Sequence, residues 1–153
     1  MPIRKMEISD IPAVLSLQGE LQFQDWNERQ FMSEIKASYA YCIVYESEDS
    51  LEASSPLLGY AVFHLLGPDS ELLSIAVSPH RQHAGIGTKL IQTGLSLLDF
   101  SSGDCCFLEV REGNEKARHF YEKHHFKFFG SRKNYYSDGE DAALYKITGN
   151  SGS

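Results

Sequence analysis

The sequence predicts an α+β fold, a mixed and mostly antiparallel sheet of about seven strands with flanking helices. Two observations carry this. Three strand-like segments between residues 39 and 77 are joined by polar connections, as in a meander, and after Ser78-Pro79 the apolar period lengthens from two to about 3.6, with helix, strand, helix and strands following in turn. Length supplies a third: at 153 residues the chain is of single-domain size, able to bury roughly two-thirds of the surface its unfolded form exposes. A single domain over residues 1–148 is expected, followed by a disordered tail, 149–153.

In chain order, Ile3 to Met6 reads as a strand. Ser9 or Asp10 can cap the next helix, whose first turn tolerates Pro12 and whose apolar side is Ala13, Val14, Leu17 and Leu21. Asn27 caps a second helix carrying Phe31, Met32 and Ile35. Tyr39 to Tyr45 is rich in aromatic and β-branched residues, as strands are. The acidic stretch ESEDSLEASS and Pro56 form a solvated loop, and Leu57 to Leu65 and Glu71 to Val77 are strands joined by the turn GPDS.

Ile86, Leu90, Ile91, Leu95 and Leu98 define a helix from Gly85 to Phe100, ended by Ser101-Ser102-Gly103-Asp104. Cys105 to Val110 is a strand, and Asn114 opens a helix running to His124. Phe126 to Tyr136 and Ala142 to Ile147, separated by Ser137-Asp138-Gly139, are the last strands.

Composition narrows the function classes. A net charge of -7 argues against binding nucleic acid through its phosphates; it suits a basic partner, or serves solubility alone. The start lacks the apolar core of a secretory signal, and Leu57 to Leu66 is too short to span a bilayer. A cytoplasmic protein with no membrane partner is expected. Cys42, Cys105 and Cys106 form neither an even disulfide set nor a metal-ligand spacing, so they read as small core residues and no metal is expected.

RQHAGIG, residues 81–87, precedes the third helix. Gly85 and Gly87 leave amides unshielded at a helix N-terminus, where a phosphate can bind, although two such glycines also make a plain tight turn. Neither G-x-G-x-x-G nor the P-loop is matched, because Leu stands at 90 and no Gly-Lys-Ser/Thr follows. The longer stretch IAVSPHRQHAGIGTKLI resembles the acetyl-CoA-binding motif of the GNAT acyltransferases, Gln/Arg-x-x-Gly-x-Gly/Ala, here Gln82, Gly85 and Gly87.

That resemblance implies a GNAT fold with acetyl-CoA as co-substrate. Ile75, Ala76 and Val77 would bond the pantetheine arm, and the loop Gln82, His83, Ala84, Gly85, Ile86, Gly87 and Thr88 would cradle the pyrophosphate. Ala84 departs from the basic residue common in the family, which shifts coenzyme affinity toward the backbone, Arg81 or Lys89.

In Cys105 to Val110 alternation sets Cys106, Leu108 and Val110 on one face and Cys105, Phe107 and Glu109 on the other. Glu109 is either a strand-end carboxylate reaching water or a functional one with a partner, since burying it unpaired is costly. Asn114, Ala117, Phe120, Tyr121 and His124 follow as a capped amphipathic helix in which Tyr121 can simply be core.

The whole stretch resembles the ribosomal-protein-alanine N-acetyltransferases, the RimI type within GNAT. The pattern L-E-V-R-x-x-N-x-x-A-x-x-x-Y falls on Leu108, Glu109, Val110, Arg111, Asn114, Ala117 and Tyr121. Phe126, Arg132, Asn134-Tyr135-Tyr136 and Gly139-x-x-Ala142 with Glu140 and Asp141 complete it. The likeness is close from Glu71 to Ile147 and fainter at Trp26 with Phe31.

This second resemblance implies transfer of acetyl to the N-terminal alanine of a small-subunit ribosomal protein. Glu109 would be the general base through water and Tyr121 the general acid. Asn114 would lie near the coenzyme arm, and Trp26, Tyr135 and Tyr136 would bind the acceptor; unaided, the two tyrosines read as packing. The chemistry needs one base and one acid, without a covalent intermediate. A GNAT enzyme of a small amine or polyamine, and a coenzyme-binding module without turnover, are the competing readings.

Overall fold

The structure, a computed structural model, describes residues 2–21, 26–47, 57–79 and 85–149. Strands β1 (Ile3–Lys5), β2 (Ala40–Glu46), β3 (Leu57–His64), β4 (Asp69–Val77), β5 (Cys105–Arg111), β6 (Lys127–Arg132) and β7 (Ala142–Ile147) form a seven-stranded sheet in the order β1-β2-β3-β4-β5-β7-β6. Among the described residues the helices are α1 (Ile11–Leu21), α2 (Glu28–Lys36), α3 (Ile86–Leu95) and α4 (Glu115–Lys123), with short 3-10 turns at Ile8–Asp10 and Phe100–Ser102. β4 and β5 pair in parallel, whereas β1–β2, β2–β3, β5–β7 and β6–β7 are antiparallel. The predicted mixed, mostly antiparallel α+β sheet is therefore found. The parallel pair is possible because the chain crosses over through α3.

The chain gathers into two compact units, residues 1–65 with 74–97, and residues 66–73 with 98–153. In the first unit Val14, Leu17, Phe31, Val44, Tyr60 and Val62 are buried together. Asn27 caps α2 as expected, in a reciprocal box with Gln30. The start of α1 departs from expectation. Asp10 does not cap it but closes a 3-10 turn, and its carboxylate accepts from the Glu7 amide at 2.7 Å and from both terminal nitrogens of Arg4 at 2.8 Å. With that turn in front of the helix, Ile11 joins Val14 and Leu17 in the core while Ala13 faces solvent.

α3 is shorter than its apolar period suggests, ending at Leu95 rather than Phe100. The Ser96 hydroxyl donates to the Thr93 carbonyl, and the Asp104 carboxylate accepts from the Asp99 amide, so local side-chain bonds replace the helical ladder. α3 packs tightly on β3. A Cβ on Gly59 would stand 3.0 Å from the Ala76 carbonyl and 3.1 Å from Leu90, and one on Gly94 would stand 2.2 Å from the Phe63 ring. The absence of side chains at these two positions is what permits the approach.

In the second unit β5 alternates as predicted, with Cys106, Leu108 and Val110 buried and Cys105, Phe107, Glu109 and Arg111 half-buried on the other face. Cys105 is thus not core, unlike Cys42 and Cys106; all are free thiols. β6 stops at Arg132, not Tyr136, because Asn134 turns left-handed at φ 51° and Asp141 accepts its amide at 2.9 Å. α4 is tied to β7 through Tyr145, whose hydroxyl accepts from Arg118 Nε at 2.9 Å and donates to Glu122 at 2.6 Å. The acidic loop expected after β2 lies largely outside the described residues, as does the tail from 150 onward.

Candidate active site

In the first unit the residues expected to meet the coenzyme fall on the end of β4 and the start of α3. Ala76 is buried, while Ile75 and Val77 are half-buried on the alternate face. Gly85 precedes α3 at φ 81°, a left-handed conformation that a glycine adopts without strain, and as the N-cap residue it brings no capping side chain. Among the described residues, a Cβ at Gly85 would meet nothing within 4 Å.

The Lys89 amide is bonded to the Gly85 carbonyl at 3.1 Å, so the first intrahelical bond begins there and the amides of Ile86, Gly87 and Thr88 precede it. Lys89 also holds its ammonium 5.9 Å from the Tyr45 ring centroid. Gln82, His83 and Ala84 lie outside the described residues. Trp26 packs its ring 5.1 Å from Phe31 beside the core, and its carbonyl accepts from Gln18 at 2.6 Å.

In the second unit the β6–β7 loop is brought against β5. The Glu109 carboxylate, 29% exposed, faces Arg132 Nη1 at 3.6 Å. The carboxylate of Glu109 acts on the Tyr135 hydroxyl and, with burial, raises its pKa. Tyr136 stands edge-on to Tyr135, centroids 5.0 Å apart, and burial followed by the negative charge of Glu109 pushes its pKa up to about 12.

The loop is fastened by Arg111, which bonds Asp138 at 2.9 Å and Glu140 at 3.0 Å. Glu140 also accepts from the Gly113 amide at 2.9 Å. Lys133 pairs with Asp141 at 3.1 Å. The structure thus brings Glu109, Tyr135 and Tyr136 together.

Tyr121 lies on α4, 9% exposed, its ring 5.6 Å from Phe120, 6.0 Å from Phe126 and 6.5 Å from Tyr145. Asn114 is the N-cap of α4, its side-chain oxygen accepting from the Ala117 amide at 3.2 Å. Arg132 and Arg111 were visible only as members of a sequence pattern. Their ionic roles depend on side chains meeting across 23 and 29 positions of chain, between Glu109 and Arg132 and between Arg111 and Glu140.

No group of three metal-binding side chains is found among the described residues, and no described helix is long and apolar enough to cross a membrane.

The acetyltransferase (GNAT) family matches residues 7–126. A Bacillus subtilis (strain 168) chain provisionally named a ribosomal protein bS18-alanine N-acetyltransferase is 29% identical over 148 residues, 95% of this chain and 94% of the relative. The ribosomal protein bS18-alanine N-acetyltransferase of Escherichia coli (strain K12) is 26% identical over 144 residues, 93% of each. The crystal structure of the ribosomal-protein-S18-alanine N-acetyltransferase from Escherichia coli superposes with a TM-score of 0.80 at 26% identity, covering 95% of this chain and 92% of that one. The family match spans most of the chain, and the sheet and helices are those of its solved relative. The chain belongs to the acetyltransferase (GNAT) family and is an N-acetyltransferase of that type.

Proposed function

We propose that the chain acetylates the N-terminal α-amine of a protein, with acetyl-CoA as donor and the terminal alanine of a small-subunit ribosomal protein as acceptor. The setting of Glu109 carries this reading: a half-buried carboxylate on the less buried face of β5, faced by one exposed arginine and acting on the Tyr135 hydroxyl. Such a carboxylate attracts an ammonium group and can take its proton through water. The names of the two relatives supply the acceptor class.

The start of α3 fits a pyrophosphate. The positive end of the helix dipole and a left-handed Gly85 that brings no side chain of its own suit an anion. Ile86, Gly87 and Thr88 would hold it through their amides, together with Gln82, His83, Ala84 and Gly85 of the loop, and Ile75, Ala76 and Val77 would bond the amide-bearing arm. Asn114 would border that arm. The coenzyme supplies a thioester whose C–S bond breaks as the C–N bond forms.

Glu109 receives the proton that the acceptor nitrogen loses, and Tyr121 donates its hydroxyl proton to the leaving sulfur. The aromatic contacts of Tyr121 hold its ring orientation, so a phenolic proton can be delivered at a fixed place. Trp26, Tyr135 and Tyr136 contact the acceptor.

A terminal α-amine titrates about 2.5 units below a lysine side chain, so presenting it neutral at pH 7 costs roughly 3.4 kcal/mol less. A base acting through water therefore favours chain termini. Purified protein with acetyl-CoA should acetylate peptides beginning with Ala in preference to Ser or Met, and should spare an N-blocked lysine peptide. Acetylation of the lysine peptide alone, or of polyamines alone, overturns the assignment.

A further inference from the structure

The Glu109–Arg132 pair has the features of an exchangeable contact. At 3.6 Å it is ionic without a hydrogen bond, and the arginine is 58% exposed, so the pair adds little to folding. The guanidinium also lies 5.6 Å from the Tyr135 ring centroid, and Tyr135 feels the same carboxylate. Arg132 therefore sets one cation beside both the Glu109 carboxylate and the Tyr135 ring.

Glu71 on β4 acts on Tyr135 as a second negative charge, Arg111 on β5 is taken up by Asp138 and Glu140, and Tyr136 adds an edge-on ring. The β7 residue in register with Glu109 is Leu144, which has no charge. Among the described residues, Arg132 is the cation paired with the Glu109 carboxylate, where an acceptor's terminal ammonium would bind.

We propose that Arg132 is a positioning residue for the acceptor: it occupies the ammonium position at Glu109 in the free enzyme, keeping Glu109 and Tyr135 aligned, and yields that position to the incoming terminus. This rests on Glu109 being the acceptor-facing base. An arriving ammonium exchanges one cation for another at the carboxylate, and the displaced guanidinium can remain against Tyr135. A peptide without a terminal ammonium has nothing with which to displace it.

The test compares wild type, Arg132→Gln and Arg132→Lys with an Ala-initiated peptide as substrate and its des-amino analogue as competitive inhibitor. Arg132→Gln should lower kcat about threefold to tenfold, because alignment is lost, and lower the KM of the amine peptide, because the competing cation is gone. The inhibition constant of the des-amino analogue should not change. Arg132→Lys should restore KM, since a cation returns, but restore kcat only in part, because an ammonium lacks the planar fork that stacks on an aromatic ring.

A merely structural arginine would raise KM and the des-amino inhibition constant together; that result, or unchanged kinetics in Arg132→Gln, overturns the proposal. Glu109→Gln separates the two readings. If Glu109→Gln retains full turnover, the base assignment falls. If it abolishes turnover while Arg132→Gln behaves as wild type, the base assignment stands and the role of Arg132 alone is refuted.

Discussion

Arg111 places its guanidinium carbon 4.1 Å from the Tyr136 ring centroid while the same side chain bonds Asp138 and Glu140. One arginine on β5 thus decides where the β6–β7 loop sits. Arg111→Ala is expected to lower kcat/KM for the acceptor peptide by about tenfold to a hundredfold, the scale of a small misplacement of substrate-positioning groups. Acetyl-CoA affinity, measured by calorimetry, should be kept. Arg111→Lys should recover little, because a point charge cannot serve two carboxylates and a ring at once.

Glu109→Gln preserves the shape of the carboxyl group and removes its capacity to take a proton. Turnover should fall by about 10²–10⁴-fold, the usual range for a lost general base, and the pH dependence of turnover should change. Tyr121→Phe keeps the ring among Phe120, Phe126 and Tyr145 and removes the hydroxyl, so turnover should fall with coenzyme binding largely retained. Steady-state kinetics that match wild type in both variants would refute these roles.

Gly94 lies inside α3, where alanine ordinarily stabilises a helix by about 1 kcal/mol. Here the added Cβ would meet three carbons of the buried Phe63 ring at 2.2, 2.3 and 2.6 Å. Overpacking of that kind costs about 1–3 kcal/mol, so Gly94→Ala should be destabilising despite its propensity. Urea denaturation should show a lower midpoint with an unchanged slope.

Asp10 is buried beneath the partly exposed Arg4, whose hydrogen bonds hold its carboxyl below the usual carboxylate pKa against the opposing effect of burial. Because the folded state lowers this pKa, the contribution to stability is complete above about pH 4 and is lost as pH falls through the folded value. Asp10→Asn should cost about 2 kcal/mol at pH 7. The difference from wild type should shrink below pH 4, as thermal melts across that range would reveal.

Burial raises the Cys42 and Cys106 thiols to about 12, with Glu34 and Glu71 adding to the respective shifts. Iodoacetamide at pH 8 should therefore modify native protein at Cys105 alone, and all three cysteines after unfolding. Intact-mass measurement gives the count. Full activity in the singly modified protein would agree with transfer that uses no thiol.

Much of this was legible from periodicity. The division of β5 into a Cys106, Leu108 and Val110 face and a Cys105, Phe107 and Glu109 face follows from alternation alone, and Asn27 and Asn114 cap their helices as their side-chain chemistry predicts. Element ends were less legible. Leu98 continues the apolar period of α3, yet the helix stops at Leu95 because bonds at Ser96 and Asp99 compete with it. The aromatic run to Tyr136 suggests a longer β6, yet Asn134 turns the chain.

The sequence by itself determined the α+β class, the position of a carboxylate on the open face of β5, and a family resemblance resting on residues near one another in the chain. Those features are local: period two, period 3.6 and short motifs. Tertiary structure decided that Arg132 faces Glu109, that Arg111 fastens the loop bearing Tyr135 and Tyr136, and that Phe63 forbids a side chain at Gly94. Each depends on which atoms meet across strands distant in the chain, and neither pattern nor propensity encodes a distance between them.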